Sequence, residues 1–213
     1  MNASRLVLAA LILPVLVACG RSPSPAPADA SATPPAAPAA VPADTAPLPA
    51  AAPERVVADL YTALAAQRPS GAPTDAQRAV LAPLLSAELT GLLQRADAAR
   101  SAARAAAPSE KTPFTDGDLF SSLFEGPTGF AVGAPVSGAD VPGGRLGDVR
   151  VPVTLTRAAD PAGGKATTWT DTVLLREENG RFVVADIAFG GDWDFANKGS
   201  MISALRAGLG ETG

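Results

Sequence analysis

The chain has 213 residues, a formal net charge of −4, no histidine and one cysteine, Cys19. These counts exclude His general bases, Ser-His-Asp triads, His- or thiolate-ligated metal sites, disulfides and an internal Cys nucleophile. Any chemistry therefore rests on carboxylates, Lys, Arg, Ser/Thr or the single tyrosine, Tyr61. No basic block occurs, which argues against nucleic acid or anionic lipid headgroups as partners.

Residues 1–18 read as an export signal. Arg5 supplies a positive n-region, Leu6 to Val17 form an apolar run, and Leu16-Val17-Ala18-Cys19 matches the lipobox of bacterial lipoproteins. A transmembrane helix needs about 20 apolar residues; this run is shorter, and Pro14 interrupts it. The other alternative is an ordinary signal with an incidental cysteine. Lipidation at Cys19 is the expectation, because it also accounts for an odd thiol in an exported chain. Loss of the signal removes only Arg5, so the mature charge is −4 − 1 = −5. Gly20 stands where Asp would signal inner-membrane retention, which points to the outer membrane with the domain facing the periplasm. Residues 19–53 read as the lipidated Cys and a disordered linker: residues 20–53 hold ten prolines and thirteen alanines and almost no large apolar side chain. As extended polyproline such a spacer reaches ~100 Å from the lipid.

Residues 54–213 are expected to form one α+β domain. Pro53 and Glu54 suit a first helical turn, and Val56, Val57, Leu60, Tyr61 and Leu64 repeat at helical spacing. Arg68-Pro69-Ser70-Gly71 ends that helix. Thr74-Asp75-Ala76-Gln77 has the form of a capping box opening a short second helix, which Pro83 interrupts. Ser86 caps a third, with Leu89, Leu92, Leu93 and Ala96 on one side, running towards Pro108.

Nine of the ten aromatics follow residue 113. Asp116 is expected to cap a helical turn through Phe124. A strand near Phe130–Pro135 and a Gly-rich turn over Val141–Gly147 come next. Val149, Val151, Val153 and Leu155 then alternate with polar residues as a strand, and Pro152 suggests that it lies at an edge. Thr167–Glu177 and Arg181–Phe189 flank Asn179-Gly180, a hairpin signal if Glu178 and Arg181 close the turn. Counting back from that turn pairs Leu175 with Val184, Val173 with Asp186, Asp171 with Ala188 and Trp169 with Gly190. Asp171 and Asp186 then share a face, and both faces are largely apolar. Asn197 or Ser200 is expected to cap a last helix.

The element order, with the Asp116–Leu123 segment (DGDLFSSL), Asp186-Ile187 and the Gly190–Asn197 segment (GGDWDFAN), resembles a group of uncharacterised bacterial lipoproteins with NTF2-like domains. The likeness covers roughly residues 54–207. It implies an NTF2-like cone, with N-terminal helices packed on a curved antiparallel sheet and a C-terminal helix, and an address in the envelope. It implies no catalytic residues, and function does not follow from this fold.

Three functional readings arise. The leading one is a non-catalytic, membrane-anchored module binding an envelope protein or small ligand, without cofactor or metal. The second is an enzyme in which Asp171 and Asp186 share a proton and Tyr61 donates to an oxyanion, as ketosteroid isomerase-like sites do with a tyrosine; the alternative for these aspartates is a structural bond to backbone or arginine. The third is an envelope immunity or inhibitor protein. Asp192-Trp193-Asp194 and Asp116-Gly117-Asp118 offer oxygens to Ca²⁺, but the EF-hand spacing fails at Ala196 and Asn197 and no Glu closes the loop. Trp193 and Phe195 alternate with Asp192 and Asp194, either as plugs of the core or as a partner-binding lip with an aromatic and an acidic side.

Overall fold

Val56, Val57, Leu60 and Tyr61 form the buried stripe of helix α1 (Pro53–Gln67), as their spacing requires. The computed structural model that carries this helix describes residues 51–138, 147–160 and 163–211. The signal, Cys19, most of the linker and most of the Val141–Gly147 turn lie outside the described residues. Helix α1 ends where Arg68 turns into the left-handed region (φ 44°), immediately before Pro69. Helix α2 (Asp75–Leu81) opens on the expected Thr74/Gln77 capping box, and Pro83 converts its continuation into a 3-10 turn, Ala82–Leu84. Ser86 caps helix α3 (Ala87–Ala106) through the N–H of Leu89. Only the first half of α3 is anchored in the core, by Leu89, Leu92, Leu93 and Ala96. Burying each leucine contributes roughly 1.5–3 kcal/mol, whereas the last turns rely on the small propensity advantage of alanine.

The sheet is open and antiparallel, with strands β1 (Gly129–Val132), β2 (Val136–Ser137), β3 (Val149–Arg157), β4 (Thr167–Glu178) and β5 (Arg181–Ala188). The order is β1-β3-β4-β5, with β2 also pairing β3. Helix α4 (Met201–Gly208) closes the chain. The architecture is therefore α+β.

Pro152 does not mark an edge. β3 is flanked by β4 on one side and by β1 and β2 on the other. The proline falls in the gap between these two short partners, where its missing N–H breaks no ladder bond and its carbonyl accepts from Gly133 N–H at 2.8 Å. The hairpin turn forms as expected: Glu178 pairs with Arg181, and Asn179 and Gly180 both take positive φ (54° and 75°), the condition for a type I′ turn.

The register further from that turn is a correction. Leu175 faces Val184, but Leu174 faces Asp186, so Ala185 is an extra residue without an opposite number. Beyond this bulge Val173 pairs with Ile187 and Thr172 with Ala188, not Val173 with Asp186 or Asp171 with Ala188. A one-residue slip sends every later side chain to the other face. Asp171 therefore points with Val173 and Leu175 to the helix-covered face, and Asp186 points with Leu174 to the reverse. Nor are the two faces alike. The helix side is dry, with Val151, Val153, Leu155, Trp169, Val173, Leu175, Val184 and Ile187 buried. The reverse side exposes Thr154 and Thr170 and leaves Arg150, Pro152, Thr172 and Arg176 half-buried, the one-sided pattern of an antiparallel sheet. The free edge of β5 is covered at its middle and its C-terminal end: Ser86 N–H bonds Val184 O, and Phe189 N–H bonds Gly199 O.

Candidate functional site

Asp171 is wholly buried, and four donors converge on it. Oδ1 accepts from the Ser122 hydroxyl and from Gly190 N–H at 2.9 Å. Oδ2 accepts from Ser122 N–H at 2.8 Å and from the Trp169 indole N–H at 3.1 Å. A carboxylate has about four lone-pair sites, so every one is used. Asp171 is the clasp between β4, the 118–124 loop and the turn after β5. The two glycines after β5 are needed here. A Cβ at Gly190 would lie 2.0 Å from Thr170 O, and one at Gly191 would lie 2.7 Å from the Trp193 ring.

Asp186 does separate work. Its Oδ1 accepts from its neighbour Ile187 N–H and from Ile202 N–H at 2.9 Å, in the first turn of α4. Ser200, not Asn197, is the N-cap of that helix and forms a capping box with Ser203. Asp186 adds a second acceptor and a negative charge where the helix dipole favours one. The two aspartates expected to face each other thus serve different elements on opposite faces, and the shared-proton geometry is absent.

The carboxylate that does accompany Asp171 and Tyr61 is Asp118. The 116–124 segment contains no helix; Asp118 rather than Asp116 organises it, accepting from Phe120 N–H at 2.7 Å and the Ser121 hydroxyl at 3.0 Å. Asp116 lies 3.4 Å from Lys111. Burial pushes the Asp118 carboxyl up to about 6; its two hydrogen bonds oppose the rise and the Asp171 charge adds to it. The residue as a whole is only half-buried, because it lines a cavity.

That cavity, of about 740 Å³, lies between the C-terminal half of α1, the 126–130 segment and Arg157. Its size is that of a small-molecule site. Leu64, Ala65, Pro69, Pro127 and Phe130 supply apolar wall, and the Tyr61 ring leans on Phe130 at 5.5 Å. Tyr61 is 2% exposed, and its hydroxyl has no hydrogen-bond partner. Burial, then the charges of Asp171 and Asp118, push its pKa well above the ordinary phenol value, so it is a neutral donor without an acceptor.

Trp193 and Phe195 do not act together. Trp193 is half-buried, edge-on to Trp169 at 5.8 Å and 79°, whereas Phe195 is 87% exposed. The segment is a turn, so strand-like alternation into an aromatic and an acidic side does not occur. Asp192 and Asp194 are exposed and bond to no other described residue. No group of three His, Cys, Asp or Glu that could hold a metal occurs among the described residues.

Sequence reasoning singled out Tyr61 but missed its surroundings. Asp118 carried a signal, a carboxylate directly before Leu119 and the buried Phe120, with which it is drawn inside in the loop. Arg157 and Phe130 carried none, since their place depends on β1 pairing with β3 across a long connection. No protein-family model and no curated protein matches the chain, and no solved structure matches it.

Proposed function

We propose that this is a lipid-anchored envelope protein of the NTF2-like lipoprotein type, whose domain binds a small molecule without catalysis in the cavity beside Tyr61. One observation carries the ligand reading: a buried phenol with no acceptor lines a cavity large enough for a small molecule. The element order, three helical segments, an antiparallel sheet and a closing helix, supports the NTF2-like assignment. So does the way the two resemblance motifs meet, Ser122 of the first and Gly190 of the second both binding Asp171. The lipobox at Cys19 and the Pro/Ala-rich spacer support the anchor.

Binding is favoured over the shared-proton mechanism of Asp171 and Asp186 because Asp171 has no free lone pair with which to take a substrate proton, and Asp186 lies on the other face. A thermal-shift screen of small apolar compounds tests the reading. Stabilising compounds should lose their effect in an Ala65→Trp variant, whose indole fills the cavity; hits that persist in that variant bind elsewhere, and a screen without hits refutes the ligand function.

A further inference from the structure

Among the described residues the most exposed large apolar side chain is Phe195, at 87% against 48% for Phe124, the next. A single exposed aromatic is ordinary on a loose loop, but this turn is held on both sides. Ala196 is buried, and Trp193 packs edge-on to Trp169. Asn197 N–H bonds Ser122 O at 2.8 Å, and the Asn197 side chain donates to Asp118 O at 3.2 Å and Ser121 O at 2.9 Å. Docking Phe195 therefore costs little ordering of the backbone, which is what suits an aromatic to anchor a contact. Asp192 and Asp194 flank it as exposed carboxylates with no ion pair among the described residues. The neighbouring cation, Lys198, is turned onto Gly191 O at 2.8 Å.

The cavity beside α1 is the complement of this turn. Leu64, Ala65, Pro69, Pro127 and Phe130 give it apolar wall, and its volume of about 740 Å³ accommodates a phenyl ring. Two arginines stand in its lining. Arg68 is exposed and makes no ion pair or side-chain hydrogen bond among the described residues. Arg157 spends only Nη1, on Glu125 O at 2.7 Å and Gly126 O at 3.2 Å, and has no ion pair there either. Asp118 is the one carboxylate among the lining residues described, so two cations stand against one anion. A phenyl ring with a carboxylate on each side of its base meets apolar wall ahead and opposite charge around it. Phe195 does not fill the cavity of its own chain, since its ring is exposed.

We propose that two copies of this chain associate reciprocally, the 192–195 turn of each plugging the cavity of the other. Phe195 lies against the apolar wall, and Asp192 and Asp194 meet Arg68 and Arg157. Asn197 ties the turn to Asp118, which lines the cavity, so knob and socket adjoin on each copy. That adjacency lets one two-fold axis close both contacts, where a distant knob and socket would build an open chain. The interface is small, below about 1,200 Å², in the range of weak and reversible association. The proposed anchor compensates, because copies held in one membrane meet at a raised effective concentration. Ligand and second copy compete for one cavity, so each excludes the other.

Analytical ultracentrifugation of the full chain carrying Cys19→Ala tests this, with knob and socket both native. It should show a reversible monomer–dimer equilibrium at concentrations up to about 1 mM. Phe195→Ala removes an exposed ring and should weaken association at least about tenfold, the loss of an anchor residue. Arg68→Gln should weaken it about three- to tenfold, as two partly exposed ion pairs are lost, and added salt should act in the same direction. Ala65→Trp fills the socket and should abolish association. Mixed in equal amounts, the Phe195→Ala and Ala65→Trp chains should form a heterodimer, because the mixture restores one contact where each variant alone has none. A monomer at every concentration, or a dimer that Phe195→Ala leaves unchanged, overturns the proposal; neither result touches the ligand reading, which the compound screen decides. Screen hits that are lost in Ala65→Trp should dissociate the dimer, and a dimer that persists with the cavity occupied overturns it as well. Should Ala65→Trp fail to fold, Phe195→Ala decides alone.

Discussion

Asp171 and Asp118 interact electrostatically and differ in their supply of hydrogen bonds. Four donors meet Asp171, while Asp118 has two, too few to offset the burial that raises its carboxyl. Asp171→Asn turns two acceptor positions into donors that confront other donors, and should cost about 2–4 kcal/mol in urea denaturation. A loss under about 0.5 kcal/mol would mean that the clasp does not hold the loops. Asp118 predicts the pH dependence. Its folded pKa, about 6, lies above the unfolded value near 3.8, so the folded chain binds this proton more tightly. That stabilising contribution is fully present below about pH 3.8 and is lost as pH rises through about 6. The wild type should therefore lose on the order of 1–3 kcal/mol relative to Asp118→Asn across that window; parallel stability profiles would contradict it. Asp97 acts in the other sense. Burial raises it, but Arg78 and Arg100 together outweigh that and hold it below its usual range, so its contribution is lost only below about pH 3.8.

Among the elements, the bulge at Ala185 matters most to what the site is. Without it Asp186 would share the helix-covered face with Asp171, placing a second carboxylate in the core. With it, Asp186 reaches the first turn of α4 and joins Ser200 in capping that helix. Asp186→Ala should cost about 1 kcal/mol and speed amide exchange selectively in α4. Unchanged exchange in α4 would show that Ser200 caps it unaided. The expectation of a facing aspartate pair failed for a specific reason: the turn residues fix register only next to the turn, and an extra residue five positions on has no mark in a run of small and branched apolar side chains. The helices were legible because their signals are local. Thr74, Ser86 and Ser200 are followed within three residues by the N–H groups they cap.

For the molecule as a whole, the proposed anchor and the domain's chemistry are separable. A Cys19→Ala protein should move from the membrane fraction to the soluble periplasm on fractionation, with the domain's melting temperature unchanged; continued membrane retention would refute the anchor. What the sequence by itself determined is short-range. The helix starts and stops, the Asn179-Gly180 turn, the apolar alternation of β3 and the buried stripe of α1 each depend on residues a few positions apart, and backbone sterics and hydrogen-bond geometry decide such things locally. Tertiary structure alone decided which carboxylates meet. Asp118 and Tyr61 are 57 positions apart in the chain, and they come together only because the 118–124 loop is clasped through Ser122 to Asp171 while α1 packs on the same face of the sheet. That arrangement left the Tyr61 hydroxyl without an acceptor beside a cavity, since burial is a property of the whole packing and not of any stretch of chain.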